Sequence, residues 1–225
     1  MNLYFIRHGN PDYCRDCLTE LGHKQADSCA EELLQLHIDE IFSSPMGRAT
    51  ETAQHLADKL GKDVLVEPWA HEVEQYAYRD DGSPTLAVQL EPEFLRSPEL
   101  EALGDEWHTH PRFNGSEQIR DMVKTVETGA ETFFYKLGYQ HEGHRFKILE
   151  KSEKNIAFFS HAGTFLILAG YLLQIPTLTA WHSFFTYQTG ISWINFHNAD
   201  SGYTVPRFLY INDTHHLRKN NLPLT

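Results

Sequence analysis

The first third of the chain contains three short segments that are predicted to be strands, at Leu3–Ile6, Glu40–Phe42 and Val64–Val66. Leu3–Ile6 is a continuous apolar run, which is typical of a strand that is covered on both faces. Two longer segments separate the predicted strands, and their apolar residues recur at the spacing of an amphipathic helix. The resulting order, β-α-β-α-β, predicts an α/β protein with a largely parallel sheet.

Residues at the ends of the two helical segments support this order. Thr19 precedes the first segment and is predicted to cap it, because a threonine side chain accepts hydrogen bonds from N–H groups of the first turn. Ser44 and Pro45 are predicted to be the N-cap and the first residue of the second helix. Gly61 is predicted to end that helix, since glycine adopts the left-handed conformation that closes helices.

The segment at about 68–115 breaks this rhythm with repeated prolines and glycines. We interpret it as an inserted lid of short helices and loops, because ordered loops of this length are usually functional. The later pattern predicts a helix from Ser116 to Gly138, strands at Arg145–Leu149, Ile156–Phe159, Ile191–Phe196 and Arg207–Ile211, and a helix at Thr164–Leu173. The predicted fold is one domain over residues 1–225, a three-layer α/β/α arrangement with a mixed, mostly parallel sheet and the inserted lid.

Composition narrows the range of partners. The 225 residues are 41% hydrophobic and 22% charged, which fits a folded domain, and 19 Lys and Arg against 31 Asp and Glu give a net charge of −12. That balance argues against nucleic acid or an anionic membrane as a partner. The chain opens without a secretory signal pattern, so a cytoplasmic location is expected. Whether the protein forms a homodimer stays open.

Cysteine spacing leaves a metal or redox site open but disfavoured. Cys14 and Cys17 have the C-x-x-C spacing of half a zinc site or of a redox pair, and Cys29 is the third cysteine. The sequence offers no second pair that would complete a closed tetrahedral site. Reduced thiols without a function are therefore the favoured interpretation, and we expect neither a metal nor another cofactor.

Charged side chains and histidines follow four of the predicted strands at the ends where ligands of α/β proteins bind. Arg7 and His8 follow the first strand, Arg48 follows the second, Glu72 lies beyond the third, and His161 follows the strand at 156–159. Two guanidinium groups and a helix N-terminus near residue 162 predict an anion pocket, and phosphate fits it best. A packed histidine at position 8 and ion pairs of the arginines with nearby carboxylates are the structural alternatives.

These residues also suggest a reaction. A neutral imidazole at His8 can attack phosphorus while arginines neutralise the phosphoryl oxygens. A carboxylic acid must protonate the leaving oxygen, and the carboxylates beyond the third strand, Glu67, Glu72 and Glu74, are the candidates. Asn10 is either a further phosphate ligand or a turn residue.

Four motifs carry a resemblance to a known family: Leu3-Tyr-Phe-Ile-Arg7-His8-Gly9, Leu18-Thr-Glu-Leu-Gly22-His-Lys-Gln25-Ala26, Phe42-Ser-Ser-Pro-Met-Gly-Arg48-Ala-Thr-Glu-Thr52-Ala53 and Phe159-Ser-His161-Ala-Gly163. In their order and spacing, from Met1 to about residue 175, the chain resembles the histidine phosphatase superfamily, also called phosphoglycerate mutase-like. One Arg-His-Gly tripeptide arises often by chance, whereas four motifs in order are a specific signal.

The resemblance implies a phosphorylated nucleophile at His8, a phosphate pocket of Arg7, Arg48 and His161, and a proton donor at Glu72. It implies a metal-independent phosphomonoester hydrolase that acts on a small phosphorylated metabolite. Mutases of the family carry a serine and an asparagine soon after the Arg-His-Gly motif, where this chain has Pro11-Asp12-Tyr13. The phosphatase branch is therefore favoured, and the alternatives are phosphoglycerate mutase-type transfer and a catalytically inactive phosphate-binding module.

Overall fold

A computed structural model of the chain describes residues 1–73, 76–113 and 117–225. Its strands are β1 (Asn2–Arg7), β2 (Pro11–Asp12), β3 (Cys17–Leu18), β4 (Glu40–Ser43), β5 (Val64–Val66), β6 (Tyr76–Tyr78), β7 (Pro84–Leu86), β8 (Tyr139–Glu142), β9 (Arg145–Ile148), β10 (Asn155–Ser160), β11 (Ile191–Asn195), β12 (Tyr203–Thr204) and β13 (Arg207–Asp213). Its α-helices are α1 (Glu20–Leu33), α2 (Gly47–Leu60), α3 (Pro92–Leu95), α4 (Pro98–Ala102), α5 (Glu117–Lys136), α6 (Ala162–Leu173), α7 (Thr177–Ser183) and α8 (His215–Lys219).

The central sheet has six strands in the order β13-β11-β1-β10-β4-β5. The adjacent pairs β1–β10, β10–β4 and β4–β5 are parallel, whereas β11 pairs antiparallel with both β1 and β13. Two buried apolar clusters cover the sheet, one beneath α1 and α2 and the other beneath α5 and α6. The predicted three-layer fold with a mixed, mostly parallel sheet is confirmed.

The ends of the first two helices test the capping predictions. Thr19 caps α1 and accepts a hydrogen bond from the Gly22 N–H group, and Gly61 ends α2 in the left-handed region with φ 63°. The prediction for the start of α2 is wrong, because the N-cap is Met46 and Ser44 lies two residues before it. The start of the long helix predicted at Ser116 lies outside the described residues.

A small second sheet escaped prediction. It joins β12, β9 and β8, and it includes the short strand predicted at 145–149. Its neighbours β8 and β12 are only four and two residues long, and β12 is far from β9 in the sequence. Strands this short carry too few residues for an apolar alternation to stand out.

The described part of the segment at 68–115 consists of the β6–β7 hairpin, α3, α4 and several 3-10 turns. Its side chains pack into the main apolar cluster rather than forming a core of their own: Trp107 lies against Trp181 with ring centroids 5.3 Å apart, and Phe113 is fully buried. Trp69 likewise packs against Phe158. These aromatic side chains therefore contribute to the packing of the inserted segment onto the core.

Within the described residues, none of the helices is both long enough and apolar enough to cross a membrane.

Candidate active site

The carboxyl ends of β1, β4 and β10 bring the predicted residues together. The imidazole rings of His8 and His161 lie 5.2 Å apart between their centroids. Arg48, in the first turn of α2, reaches His8 with its Nε atom, and Glu72 approaches His161 from the segment that follows β5. Charges on Arg48 and Glu72 also act on the Arg7 guanidinium. Five residues predicted from four strand ends therefore form one cluster, in which His8, Arg48 and His161 are buried.

The surroundings of His8 fix its tautomer. Its Nδ1 atom lies 2.7 Å from the Gly9 carbonyl oxygen, which can only accept a hydrogen bond. Nδ1 therefore carries the proton, and Nε2 keeps its lone pair, to which Arg48 Nε–H donates at 3.2 Å. Burial, reinforced by the positive charges of Arg7 and Arg48, lowers the pKa of His8 to about 3. His8 is thus a neutral imidazole at physiological pH with its lone pair aimed at the cluster.

Ser44 is the hydrogen-bond partner of His161. The Ser44 hydroxyl oxygen accepts a hydrogen bond from the Met46 N–H group and lies 2.7 Å from His161 Nε2. The hydroxyl donates its proton to Nε2 in the tautomer whose ring proton is on Nδ1. That atom is buried and has no hydrogen-bond partner within the described residues. His161 thus directs an N–H donor into the cluster, and burial holds its pKa well below 6.5.

Arg7 supplies a second unsatisfied donor. Its Nη1 atom donates to the Thr186 carbonyl at 2.6 Å, while its buried Nε atom has no partner among the residues that the structure describes. Buried donors without acceptors are uncommon in folded proteins because each one costs desolvation free energy. Two of them beside Arg48 call for a ligand with several acceptor oxygens, and a phosphoryl group has this chemistry.

Glu72 has one engaged and one available carboxylate oxygen. Its Oε1 atom accepts hydrogen bonds from the N–H groups of Val73 and Gly163, both at 3.0 Å. Its Oε2 atom faces His161 Nδ1 at 4.0 Å. Burial raises the pKa of this carboxyl above its ordinary value, although the nearby arginines and the two N–H groups oppose the shift. A proton on Glu72 would therefore reside on Oε2.

The Gly163 hydrogen bond changes the expectation for the start of α6. The sequence predicts that this helix directs free N–H groups at a bound anion. In the structure, the N–H group of Gly163 is already engaged by Glu72. The positive end of the helix thus holds the Glu72 carboxylate in place, and this carboxylate lies between the helix and the histidines.

The other candidate residues have partners away from this cluster. The side-chain oxygen of Asn10, Oδ1, accepts a hydrogen bond from the Thr19 hydroxyl at 2.8 Å and so stabilises the loop after β1. A role of Asn10 in phosphate binding stays a prediction. Glu67 accepts from Trp69 Nε1 at 2.8 Å. Glu74 lies outside the described residues. Of the two described carboxylates, only Glu72 reaches the histidines.

Ser44, Thr52 and Asp16 contribute to the site and escaped prediction. The Thr52 hydroxyl accepts from the Gly9 N–H group and donates to the Arg48 carbonyl, so it connects the loop after β1 to α2. Asp16 forms an ion pair with Arg48. The sequence predicts a helix cap at Ser44, because serine before proline is a typical helix start.

The cluster also contains a geometry that could attract a metal. Ligand atoms of His8, Glu72 and His161 all lie within 4.8 Å of one another, and two histidines with a glutamate is a known zinc set. However, Arg48 Nε–H already points at the His8 lone pair. A divalent cation would take that position beside two guanidinium groups, and their repulsion opposes it strongly at such short range. The charges favour an anion.

Comparison with known proteins agrees with this geometry. A family model of the histidine phosphatase superfamily, branch 1, matches residues 3–205. The chain is 39% identical over 72 residues to a 2,3-bisphosphoglycerate-dependent phosphoglycerate mutase of Thermoplasma acidophilum, which covers 28% of this chain and 36% of that protein. It is 36% identical over 74 residues to a putative phosphoserine phosphatase 2 of Hydrogenobacter thermophilus, covering 29% and 36% of the two chains. The matched segments thus span little more than a third of these relatives.

Solved structures match over much more of the chain. A phosphoserine phosphatase from Entamoeba histolytica in complex with 3-phosphoglyceric acid superposes with a TM-score of 0.64 over 96% of this chain and 98% of its own, at 21% identity. A mycobacterial glucosyl-3-phosphoglycerate phosphatase in complex with VO3 gives a TM-score of 0.61 over 95% and 99% of the chains, at 20% identity. At these identities, the likeness establishes the fold.

Proposed function

Because the chain belongs to the histidine phosphatase superfamily, branch 1, we propose that it hydrolyses phosphomonoesters through a phosphohistidine on His8. One observation carries the proposal: His8 is a buried, neutral imidazole whose Nε2 lone pair faces Arg48, within a cluster that also holds Glu72 and His161. The family match and the phosphatase structures with the same fold support it.

The first step is transfer of the phosphoryl group to the enzyme. The phosphoryl oxygens take the donors of Arg7, Arg48 and His161, so Arg48 Nε–H leaves the His8 lone pair. His8 Nε2 then bonds to phosphorus in line with the leaving oxygen, and the phosphorus–oxygen bond of the ester breaks. Glu72 donates the proton from Oε2 to the leaving oxygen, and the alcohol departs.

The second step returns the enzyme to its starting state. Glu72, now a carboxylate, removes a proton from water at the position that the alcohol has left. The water oxygen bonds to phosphorus while the bond between phosphorus and His8 Nε2 breaks. Inorganic phosphate departs and Glu72 is again protonated. The same guanidinium groups stabilise the charge in both transition states, so the proposed reaction uses no metal ion.

Trapping the phosphoenzyme tests the proposal. Wild-type protein is mixed with p-nitrophenyl phosphate in the presence of EDTA, quenched in alkali, and examined for an acid-labile phosphoramidate at His8 by mass spectrometry. We expect EDTA-resistant turnover with phosphate on His8. Tight binding of inorganic phosphate without turnover of any tested phosphomonoester would instead support the inactive binding module.

Phosphoglycerate mutase activity is the second candidate, because the matched relatives include one phosphoglycerate mutase and several probable phosphoglycerate mutases. A mutase needs further cationic groups for the second phosphate of a bisphosphate. Among the arginines of the inserted segment, Arg112 pairs with Asp80 and Glu91, and Arg79 donates to the Pro84 carbonyl. The third, Arg96, donates to the Thr179 hydroxyl. Their engagement elsewhere supports water as the acceptor.

The acceptor can be identified directly. We expect the phosphoenzyme to decay rapidly in water, and 2,3-bisphosphoglycerate not to support interconversion of 2- and 3-phosphoglycerate above the rate of hydrolysis. Both quantities can be followed by 31P NMR in one reaction. A long-lived phosphoenzyme together with interconversion faster than hydrolysis would make the protein a mutase.

We further propose that the segment at about 68–115 is a lid that determines which small phosphorylated metabolite is accepted. Its support is position, since it contains Glu72 and packs onto the core, and its first residues accept hydrogen bonds from β10 and α6 through the carbonyls of Ala70 and His71. Exchanging residues 75–113 for those of a relative with a different substrate should shift relative kcat/KM across a panel of phosphorylated metabolites. Phosphorylation of His8 should persist. Unchanged substrate preference would refute the proposal that this segment is a lid.

A cytoplasmic location and a homodimer stay predictions.

A further inference from the structure

Asp16 lies in the turn between β2 and β3, outside every motif used above, yet it is fixed against the start of α2. Its Oδ2 atom accepts a hydrogen bond from the Gly47 N–H group at 2.7 Å, and its Oδ1 atom accepts one from Arg48 Nη1 at 2.5 Å. The N-cap residue Met46 makes no side-chain capping bond, so the Asp16 carboxylate caps α2 from a distant part of the sequence.

The backbone around Asp16 is shaped for this contact. Asp16 has φ 51°, in the left-handed region that few residues other than glycine adopt. Its carbonyl oxygen presses on Gly47, where an added Cβ atom would lie only 2.2 Å from it. Asp16 thus meets the helix through its carboxylate and through its main chain, and a side chain at position 47 would separate them.

The ion pair determines which edge of Arg48 faces the site. The guanidinium group is planar and rigid, so fixing one amino group fixes the direction of the others. Asp16 holds Nη1, and the opposite edge carries Nε–H, which points at His8 Nε2. Within the described ranges, Nη2 on that same edge makes no hydrogen bond. An Nε–Nη2 edge binds phosphoryl oxygens in a bidentate manner.

We infer that Asp16 is a positioning residue, which orients Arg48 so that its Nε–Nη2 edge meets the phosphoryl group at His8. Arg48 is only 4% exposed and Tyr13 covers it, with the ring centroid 5.4 Å from the guanidinium carbon. The pair is therefore sheltered from competing water on the side of Arg48. This inference rests on the proposed function, since it assigns a purpose to the anion-binding edge.

Asp16→Asn separates orientation from capping. Asparagine tolerates the left-handed backbone, and its single carbonyl oxygen can still accept from the Gly47 N–H group, but its amide nitrogen cannot accept from Arg48. Asp12→Asn is the matched control, because Asp12 ends β2 just before the turn that holds Asp16 and accepts from the N–H groups of Cys14 and Arg15 without contacting Arg48. Melting temperatures of all variants verify that they are folded.

We expect Asp16→Asn to lower kcat/KM for p-nitrophenyl phosphate roughly 10- to 100-fold, as a misplaced catalytic group does. Asp12→Asn should stay within about twofold of wild type, the range of substitutions away from such contacts. In an Arg48→Ala background, adding Asp16→Asn should change little, because the effect of Asp16 passes through Arg48. An equal loss in both backgrounds, or a loss no larger than in Asp12→Asn, would overturn the inference.

Calorimetric binding of inorganic phosphate keeps this test separate from that of the proposed function. Removing a carboxylate near an anion pocket should by itself tighten phosphate binding, so weaker binding to Asp16→Asn reports lost orientation of Arg48. Binding as tight as wild type or tighter would overturn the inference. Wild type that binds phosphate but never turns over would refute the proposed function, while the comparison of binding among variants would still decide the role of Asp16.

Discussion

His8→Ala is expected to lower turnover of p-nitrophenyl phosphate by at least about a thousandfold, because removing the nucleophile of a covalent mechanism leaves only the contribution of binding and electrostatics. The phosphoenzyme should disappear with it. Steady-state kinetics and alkaline trapping measure the two effects. The variant should still bind inorganic phosphate, since Arg7, Arg48 and His161 stay in place.

His197→Ala is the control for this prediction, because His197 is an exposed histidine that belongs to no part of the cluster. It should retain wild-type kinetics. Loss of a nucleophile lowers activity by far more than about tenfold. If His8→Ala kept more than about a tenth of the wild-type activity and still bound phosphate, His8 would not be the group that attacks phosphorus.

The second large effect is expected from Glu72→Gln, and it should depend on the leaving group. An alkyl phosphate such as glycerol phosphate needs a proton on its departing oxygen, so its turnover should fall about 10²- to 10⁴-fold. The p-nitrophenolate ion departs without one, but hydrolysis of the phosphoenzyme still needs a base. With p-nitrophenyl phosphate we therefore expect a burst of product, then slow turnover, with phosphate accumulating on His8.

The pH profile supplies an independent measurement. Burial raises the pKa of Glu72, so the acid keeps its proton to higher pH than an ordinary glutamate. For an alkyl phosphate, kcat/KM should fall as pH rises through this pKa, because only the protonated form donates, and Glu72→Gln should lack that decline. Glu67→Gln is the matched control, since Glu67 binds Trp69 instead. Equal losses of turnover on both substrates without a burst would show that Glu72 is not the acid that protonates the leaving oxygen.

Much of this arrangement could be predicted because it depends on local signals and on sheet topology. Thr19 and Gly61 act within one helical turn, so their residue types suffice to mark the ends of helices. Parallel pairing of β1, β10 and β4 then brings Arg7, His161 and the start of α2 to the same edge of the sheet. Residues far apart in sequence converge there without any knowledge of side-chain geometry.

Ser44 and Asp16 show where such reasoning stops. Ser44 bonds to a histidine 117 residues away, and Asp16 bonds to a helix 31 residues ahead. Each forms a side-chain contact whose partner depends on how loops pack, and periodicity carries no information about that. A serine before proline is also a typical local helix cap, so the sequence predicts a cap at Ser44, whereas the helix starts at Gly47.

Reagents that acylate imidazoles, such as diethyl pyrocarbonate, would meet the 14 histidines of this chain in an order set by access. His8 has no exposed surface, its Nδ1 proton is held by the Gly9 carbonyl and its lone pair is covered by Arg48, whereas His23 and His144 are exposed. Labelling of surface histidines should therefore run far ahead of inactivation. The same enclosure separates the His8 imidazole from electrophiles in solution, so that only a group able to enter the pocket can react with it.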